Sequence, residues 1–264
     1  MGAPDTGQIL FDGRHLRARI FQPGQKRLFV SFDSFRPKRA GFDDRGPVQF
    51  YLNAGWSQLQ IQTSANDWYL NDDLEPLRLV LAQAVQPYRR VSSMAFSMGA
   101  YGALLMSRAL RLTHVFLVSP QITPFSQRGP KDGRYRGFEA GMRGDLDLGP
   151  KDLQDRMRGF VLFDPLQRSK DREHARAVEA LVPGIVAVAM PMAGHPADKT
   201  ILQGRLWPEF QALLMDKACR ASQIKQLHRS GRQQAQTYQD SLSERLLARA
   251  QRQAAAQGGG NSLP

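Results

Sequence analysis

The sequence is short of several things, and each shortage narrows its reading. There is one cysteine, Cys219. An intramolecular disulfide framework and a cysteine-based zinc site are therefore excluded, and a reducing, cytoplasmic setting is the expectation. No apolar run approaches the roughly 18 residues that would span a bilayer. The opening MGAPDTGQILFDG has neither the basic stretch nor the apolar core of a secretory signal. Prolines and glycines follow no fixed period, and no internal repeat is visible. A P-loop, a dinucleotide glycine fingerprint and a zinc-binding histidine pair are all missing, so neither a cofactor nor a metal is expected. Acidic residues number 24 against 36 Lys and Arg, a formal net charge of +12. That balance favours anionic partners and says nothing about fold.

What is present is enough for a large core. Hydrophobic residues make up 42% of the 264 positions and charged residues 23%, the proportions of a globular chain. Gln8–Phe11 and His15–Phe21 flank the turn pair Asp12-Gly13, a hairpin pattern. Leu28–Phe32 is a short apolar run, and Leu59–Thr63 alternates. Asp73–Val85 has near-helical apolar spacing, with Pro76 in its first turn. Val91–Phe96 leads into Ser-Met-Gly and a helix reaching about Leu110. Val115–Val118, Phe160–Phe163 and Ile185–Met190 read as buried strands, with helices at about Arg172–Leu181 and at Leu206–Met215. Alternating strands and helices, with continuously apolar strands, predict a mostly parallel sheet covered on both faces: an α/β fold.

Two regions break the rhythm. Thr123–Arg158 is rich in Gly, Arg and Asp, like an inserted loop or small cap. Lys217–Arg252 is polar and helical in composition, with eight Lys or Arg against Asp240 and Glu244. Gly231 is expected to divide it, and Gly258-Gly259-Gly260 to open a disordered end. The expected division is a domain over 1–216 and a basic tail over 217–264.

The chemistry is concentrated in Val91–Leu105, VSSMAFSMGAYGALL. A buried strand enters Ala95-Phe96-Ser97-Met98-Gly99 and a helix leaves it at once. Such a turn lifts a serine oxygen above the sheet edge and needs small residues two before and two after, as Ala95 and Gly99 are. This segment resembles the nucleophile elbow of the α/β-hydrolase superfamily, in its esterase and lipase branch, with Ala95 where Gly is commoner. The strand order from about residue 8 to 215 agrees.

The resemblance implies a chain order of Ser, then Asp or Glu, then His. His195 lies in the Gly194-His195 turn after the last strand, where the superfamily has its general base. Asp164 ends the preceding strand, and Asp171 opens the helix that follows. Either could orient the imidazole, and the usual spacing favours Asp171. An oxyanion hole would take the Met98 amide and one from Phe32 or Asp33, after the strand Leu28–Phe32. The lipase-type His-Gly-Gly-Gly is absent there, and a carboxylate so close would hinder the chemistry unless it points away. Trp56, Trp68 and Tyr69 lie around the strand Leu59–Thr63. Trp68 and Tyr69 are candidates to line the site mouth, or to pack in the core. Arg128, Lys131, Arg134 and Arg136, with Tyr135, form a basic cluster in the insertion, suited to an acidic substrate or to solvent.

The implied function is a serine hydrolase cleaving a carboxylic ester, or an acyl transferase, acting on a small-molecule or glycan ester. The chain looks like bacterial hydrolases associated with surface-polysaccharide synthesis. The alternative is a non-catalytic hydrolase-like scaffold that binds an anionic partner through its basic insertion and tail. The tail's charge suits an anionic surface. Specific nucleic-acid binding is not expected, because Tyr238 alone in that stretch is aromatic.

Overall fold

The computed structural model describes residues 7–130, 132–167 and 170–258. Lys131 and the expected disordered end from Gly259 onward lie outside them. The strands are β1 (Gln8–Asp12), β2 (Leu16–Phe21), β3 (Arg27–Phe32), β4 (Ser57–Thr63), β5 (Arg90–Phe96), β6 (His114–Val118), β7 (Arg158–Phe163) and β8 (Ile185–Ala189). The helices are α1 (Gln49–Asn53), α2 (Leu74–Ala84), α3 (Met98–Leu105), α4 (Asp171–Leu181), α5 (Lys199–Gln203), α6 (Trp207–Met215), α7 (Ala221–Gly231) and α8 (Gln236–Gly258).

The strands form an eight-stranded sheet in the order β1-β2-β4-β3-β5-β6-β7-β8. β2 runs antiparallel to β1 and β4, and every other neighbouring pair is parallel. The Asp12-Gly13 hairpin closes with Asp12 opposite Arg17. It is also held from outside, because the Asp73 carboxylate accepts the His15 and Leu16 backbone N–H groups. The central strands are apolar on both sides because both sides are covered. Leu74, Leu77 and Leu81 of α2, most of α3, and Ala175 and Val178 of α4 fill one face. Tyr51 of α1, Ile201 of α5, Phe210 and Leu214 of α6, and Ile224 of α7 fill the other.

β4 departs from its alternating sequence, since all seven of its residues are buried. Its glutamines are covered because each is hydrogen-bonded, the condition under which polar groups can be buried. Gln58 donates to Ser31 Oγ (2.9 Å), Gln60 accepts from Arg19 (2.8 Å), and Gln62 donates to the Asp43 carbonyl. α3 stops at Leu105 rather than near Leu110.

The inserted segment contains three short 3-10 turns and, before β7 begins at Arg158, no strand among its described residues. Gly231 ends α7, as the sequence suggested, but α7 is part of the body. Ile224 is fully buried, and a Cβ placed on Gly231 would sit 2.3 Å from the Thr200 carbonyl oxygen. The division expected near residue 216 therefore falls inside a packed unit. Exposure begins further along, with Leu246 and Leu247 of α8 more than half exposed. No helix among the described residues is long and apolar enough to cross a membrane.

Candidate active site

β5 delivers the chain to Ser97, which turns with φ 49° and ψ −120°. A non-glycine residue there carries strain of about 1–3 kcal/mol, and its surroundings must hold it. Ser97 N–H bonds the Val118 carbonyl at 2.9 Å, and Ala100 N–H bonds the Ser97 carbonyl at 3.0 Å. At two positions the surroundings leave no room for a side chain without something shifting. A Cβ at Gly99 would lie 2.9 Å from the Asp33 carbonyl oxygen, and one at Gly102 would lie 2.6 Å from the Tyr69 ring.

Ser97 Oγ is 3.2 Å from His195 Nε2, and His195 Nδ1 is 2.8 Å from Asp171 Oδ2. Nδ1 also has the Arg134 guanidinium at 3.2 Å, but the carboxylate is nearer and only accepts, so the proton sits on Nδ1 and the Nε2 lone pair faces the serine hydroxyl. Asp171 is fully buried at the first position of α4, which fixes its direction. His195 sits on the loop after β8, and that loop is fixed by Asp164. The Asp164 carboxylate accepts backbone N–H groups from Leu166 (2.9 Å), Met192 (3.1 Å) and Gly194 (2.9 Å). Both candidate acids thus lie beside the histidine, but the carboxylate on its ring is that of Asp171.

The end of β3 differs from expectation. Asp33 N–H is bonded to the Ile61 carbonyl at 3.2 Å as a continuation of the sheet, so it cannot serve an oxyanion. The next amide along, Ser34 N–H, has no hydrogen-bond partner among the described residues. The Asp33 side chain points away, to Arg39 at 2.9 Å and to Thr63 N–H at 3.2 Å. Burial pushes its carboxyl above the ordinary value, against the pull of Arg39. Phe32 packs edge-on against Tyr69 at 5.8 Å.

Trp68 and Tyr69 do not line a mouth, because both are fully buried. Tyr69 is a strut, its hydroxyl donating to the Asp33 carbonyl at 2.6 Å while its ring backs Gly102. Trp68 donates to Gln121 Oε1 at 3.4 Å, and Gln121 Nε2 lies 3.4 Å from Ser97 Oγ. Trp56 is also buried, on the other side of the sheet.

The insertion closes over these residues. Tyr135 lies edge-on to Trp68 with ring centroids 4.7 Å apart. Burial raises that phenol, which therefore stays protonated. Arg134 pairs with Asp171 Oδ1 at 2.9 Å, leaving Oδ2 to the histidine, and is gripped from behind by Asp132. Asp132 in turn meets His174 Nε2 at 3.3 Å. His174 Nδ1 accepts Ile122 N–H at 3.0 Å, so its Nε2 carries the proton and donates. Burial works against the Asp132 charge, but the bonds from His174 and Arg134 hold its carboxyl well below the usual range. Of the basic cluster, Arg134 thus meets two carboxylates and lies 3.2 Å from His195 Nδ1. Arg128 lies over the Phe125 ring at 4.7 Å, and Arg136 is exposed.

Gln121, Asp132 and His174 were not singled out from the sequence. Gln121 had a usable signal, lying just past the C-terminal end of β6, the sheet edge where α/β folds bind ligands. His174 is one turn beyond Asp171 and so shares its face of α4. Asp132 had no such signal. Among the described residues, no group of three or more His, Cys, Asp or Glu is placed to hold a metal ion.

The sheet order, the strand–turn–helix elbow and the helical layers make this an α/β-hydrolase-like fold. No protein-family model and no curated protein matches the chain in sequence. Solved structures do resemble it. It is similar to the glycosylation-associated protein (Gap123) complex of Streptococcus agalactiae, with TM-score 0.59, 11% identity, 81% of this chain and 47% of that chain covered. The chain thus spans about half the length of that relative. It is similar to the capsule O-acetyltransferase of Neisseria meningitidis serogroup A in complex with CoA, with TM-score 0.53, 11% identity, 78% of this chain and 94% of that one covered. It is also similar to a 2,6-dihydroxy-pseudo-oxynicotine hydrolase, with TM-score 0.50, 14% identity and coverage of 76% and 63%. At such identities the likeness is one of fold, a fold used by both hydrolases and acyltransferases.

Proposed function

We infer that the protein cleaves or transfers an acyl group through a serine ester intermediate. The observation that carries this reading is the continuous line Ser97–His195–Asp171, with both hydrogen-bonded steps at 3.2 Å or less and the tautomer set by a buried carboxylate. Ser97 Oγ attacks the ester carbonyl while His195 Nε2 takes its proton. Asp171 orients the ring and stabilises the imidazolium, and His195 then returns the proton to the leaving alcohol. The Met98 amide would hold the oxyanion together with that of Ser34, next along the chain from Asp33. Water as second acceptor gives hydrolysis, and a sugar hydroxyl gives acyl transfer. A glycan ester as substrate draws support from the likeness to a capsule O-acetyltransferase.

A second reading, a scaffold that performs no chemistry, is favoured by one observation: Ser97 is buried and its acid is paired with Arg134. A fluorophosphonate probe separates the two. Covalent labelling of Ser97, abolished in Ser97→Ala and His195→Ala, is expected of the enzyme. An unlabelled wild-type chain refutes it.

A further inference from the structure

At the edge of the sheet opposite Ser97, where β3 and β5 begin, lies a cavity of about 720 Å³. Five cationic side chains line it (Lys26, Arg27, Arg89, Arg90 and Lys217) and no acidic one does. They come from three separate stretches of chain: the turn into β3, the link from α2 into β5, and the link from α6 to α7. Among the described residues none of the five is paired with a carboxylate.

One of the five cations is fixed by the fold. Arg90 is buried, its guanidinium donating to the Leu214 and Met215 carbonyls at 2.6 Å and to Ser92 Oγ at 3.1 Å. The Arg27 and Arg90 guanidinium carbons each lie 5.2 Å from the centre of the Trp56 ring, so two cations rest on one indole. Lys26, Arg27, Arg89 and Lys217 are exposed. The local field is felt by its neighbours. Burial and then the charge of Arg27 lower Arg90, and burial and then the charge of Arg90 hold His114 on β6 at about 4. Asp216 opposes both effects, but its carboxylate faces the Ala218 N–H at 2.8 Å.

Like charges held together in a concavity repel, and the exposed heads of Lys26, Arg89 and Lys217 suit phosphate oxygens. A single phosphate would leave most of these charges unmatched. The volume lies within the usual range of small-ligand sites, about 300–1,000 Å³. We propose that this cavity binds a small organic polyphosphate, a ligand carrying two or more linked phosphate groups. The site is independent of the chemistry at Ser97.

The test is calorimetric titration of the full chain with inorganic tripolyphosphate at about 150 mM salt, where surface attraction is largely screened. Saturable one-to-one binding is expected. Arg89→Gln with Lys217→Gln should weaken it by about tenfold or more, the loss of two charge-assisted contacts. Arg249→Gln with Arg252→Gln, an equal change of net charge on exposed α8, should leave it unchanged. Equal weakening by both pairs, or no saturable binding to wild type, overturns the proposal. So does a result in which the pocket pair abolishes capture by phosphatidylserine vesicles while tripolyphosphate does not bind. The pocket pair must melt with the wild type in the absence of ligand. If it melts early, Lys26→Gln with Lys217→Gln takes its place under the same criteria.

Discussion

Replacing Asp164 and Asp171 in turn by asparagine should separate two jobs done by carboxylates seven positions apart. Asp164 Oδ1 accepts Leu166 and Met192 N–H, and Oδ2 accepts Gly194 N–H. An asparagine there offers one oxygen and one NH2, so at least one buried N–H faces a donor. Losing a charge-assisted bond costs about 1.5–3 kcal/mol, and the orphaned N–H adds to it, giving about 3 kcal/mol in all. For a chain of this size that is a fall in Tm of about 6–12 °C. Activity on a short p-nitrophenyl ester should fall by no more than about tenfold, because the loop carrying His195 is loosened and its ring partner is intact. Asp171→Asn should do the reverse. Arg134 keeps its bond to Asp132, so Tm should move less, while kcat falls on the order of 10⁴-fold as the imidazole loses its orienting carboxylate. Thermal melts and initial rates on both variants decide the matter. An Asp164→Asn protein with wild-type Tm and lost kcat would refute the assignment of roles, as would an Asp171→Asn protein with wild-type kcat.

Gly102→Ala gains roughly 1 kcal/mol of helix propensity but sets a Cβ 2.6 Å from the Tyr69 ring, and overpacking of about 1–3 kcal/mol should win; chemical denaturation should show a net loss of stability, and a gain would show that Tyr69 moves freely. Burial pushes Asp198 from 3.8 up to about 6, so the folded chain holds this proton more tightly than the unfolded chain does. Its contribution to stability is therefore lost as pH rises from about 4 to 6, by up to about 3 kcal/mol, and Asp198→Asn should remove that fall in a pH series of denaturant melts. Ending the chain at residue 249 should leave Tm unchanged, whereas ending it at Asp216 removes the buried Ile224 and the cover over Thr200 and Gly204, and should give an unstable or insoluble product. A stable, monomeric protein ending at Asp216 would show that α7 adds nothing to the core.

The sequence marks Ser97 clearly because an elbow is a local feature, with strand, small residues and helix all within reach of one another. His195 stands out for a different reason: histidines are few, and this one follows the last strand. The choice between Asp164 and Asp171 is harder, because both follow β7 closely and differ only in where the carboxylate points. That direction depends on the Met192–Gly194 backbone in one case and on the pitch of α4 in the other. The grip of the insertion on the site is not legible at all. Arg134 meets Asp171 far along the chain, from a segment with no periodicity whose composition reads equally well as a solvated loop. The burial of β4 was hidden likewise, since its glutamines find their partners on β2, on β3 and in the connection between β3 and α1.

The segment from Asp164 to Asp171 works as a caliper with its jaws separately bolted. One jaw is held by the backbone of the loop after β8, and the other by the seating of α4, whose Ala175 and Val178 are fully buried. The distance between the two carboxylates is therefore set by the body of the protein and not by the length of chain that joins them. Residues added between Leu166 and Lys170 should be tolerated, while a one-residue shift at either jaw should misplace the histidine.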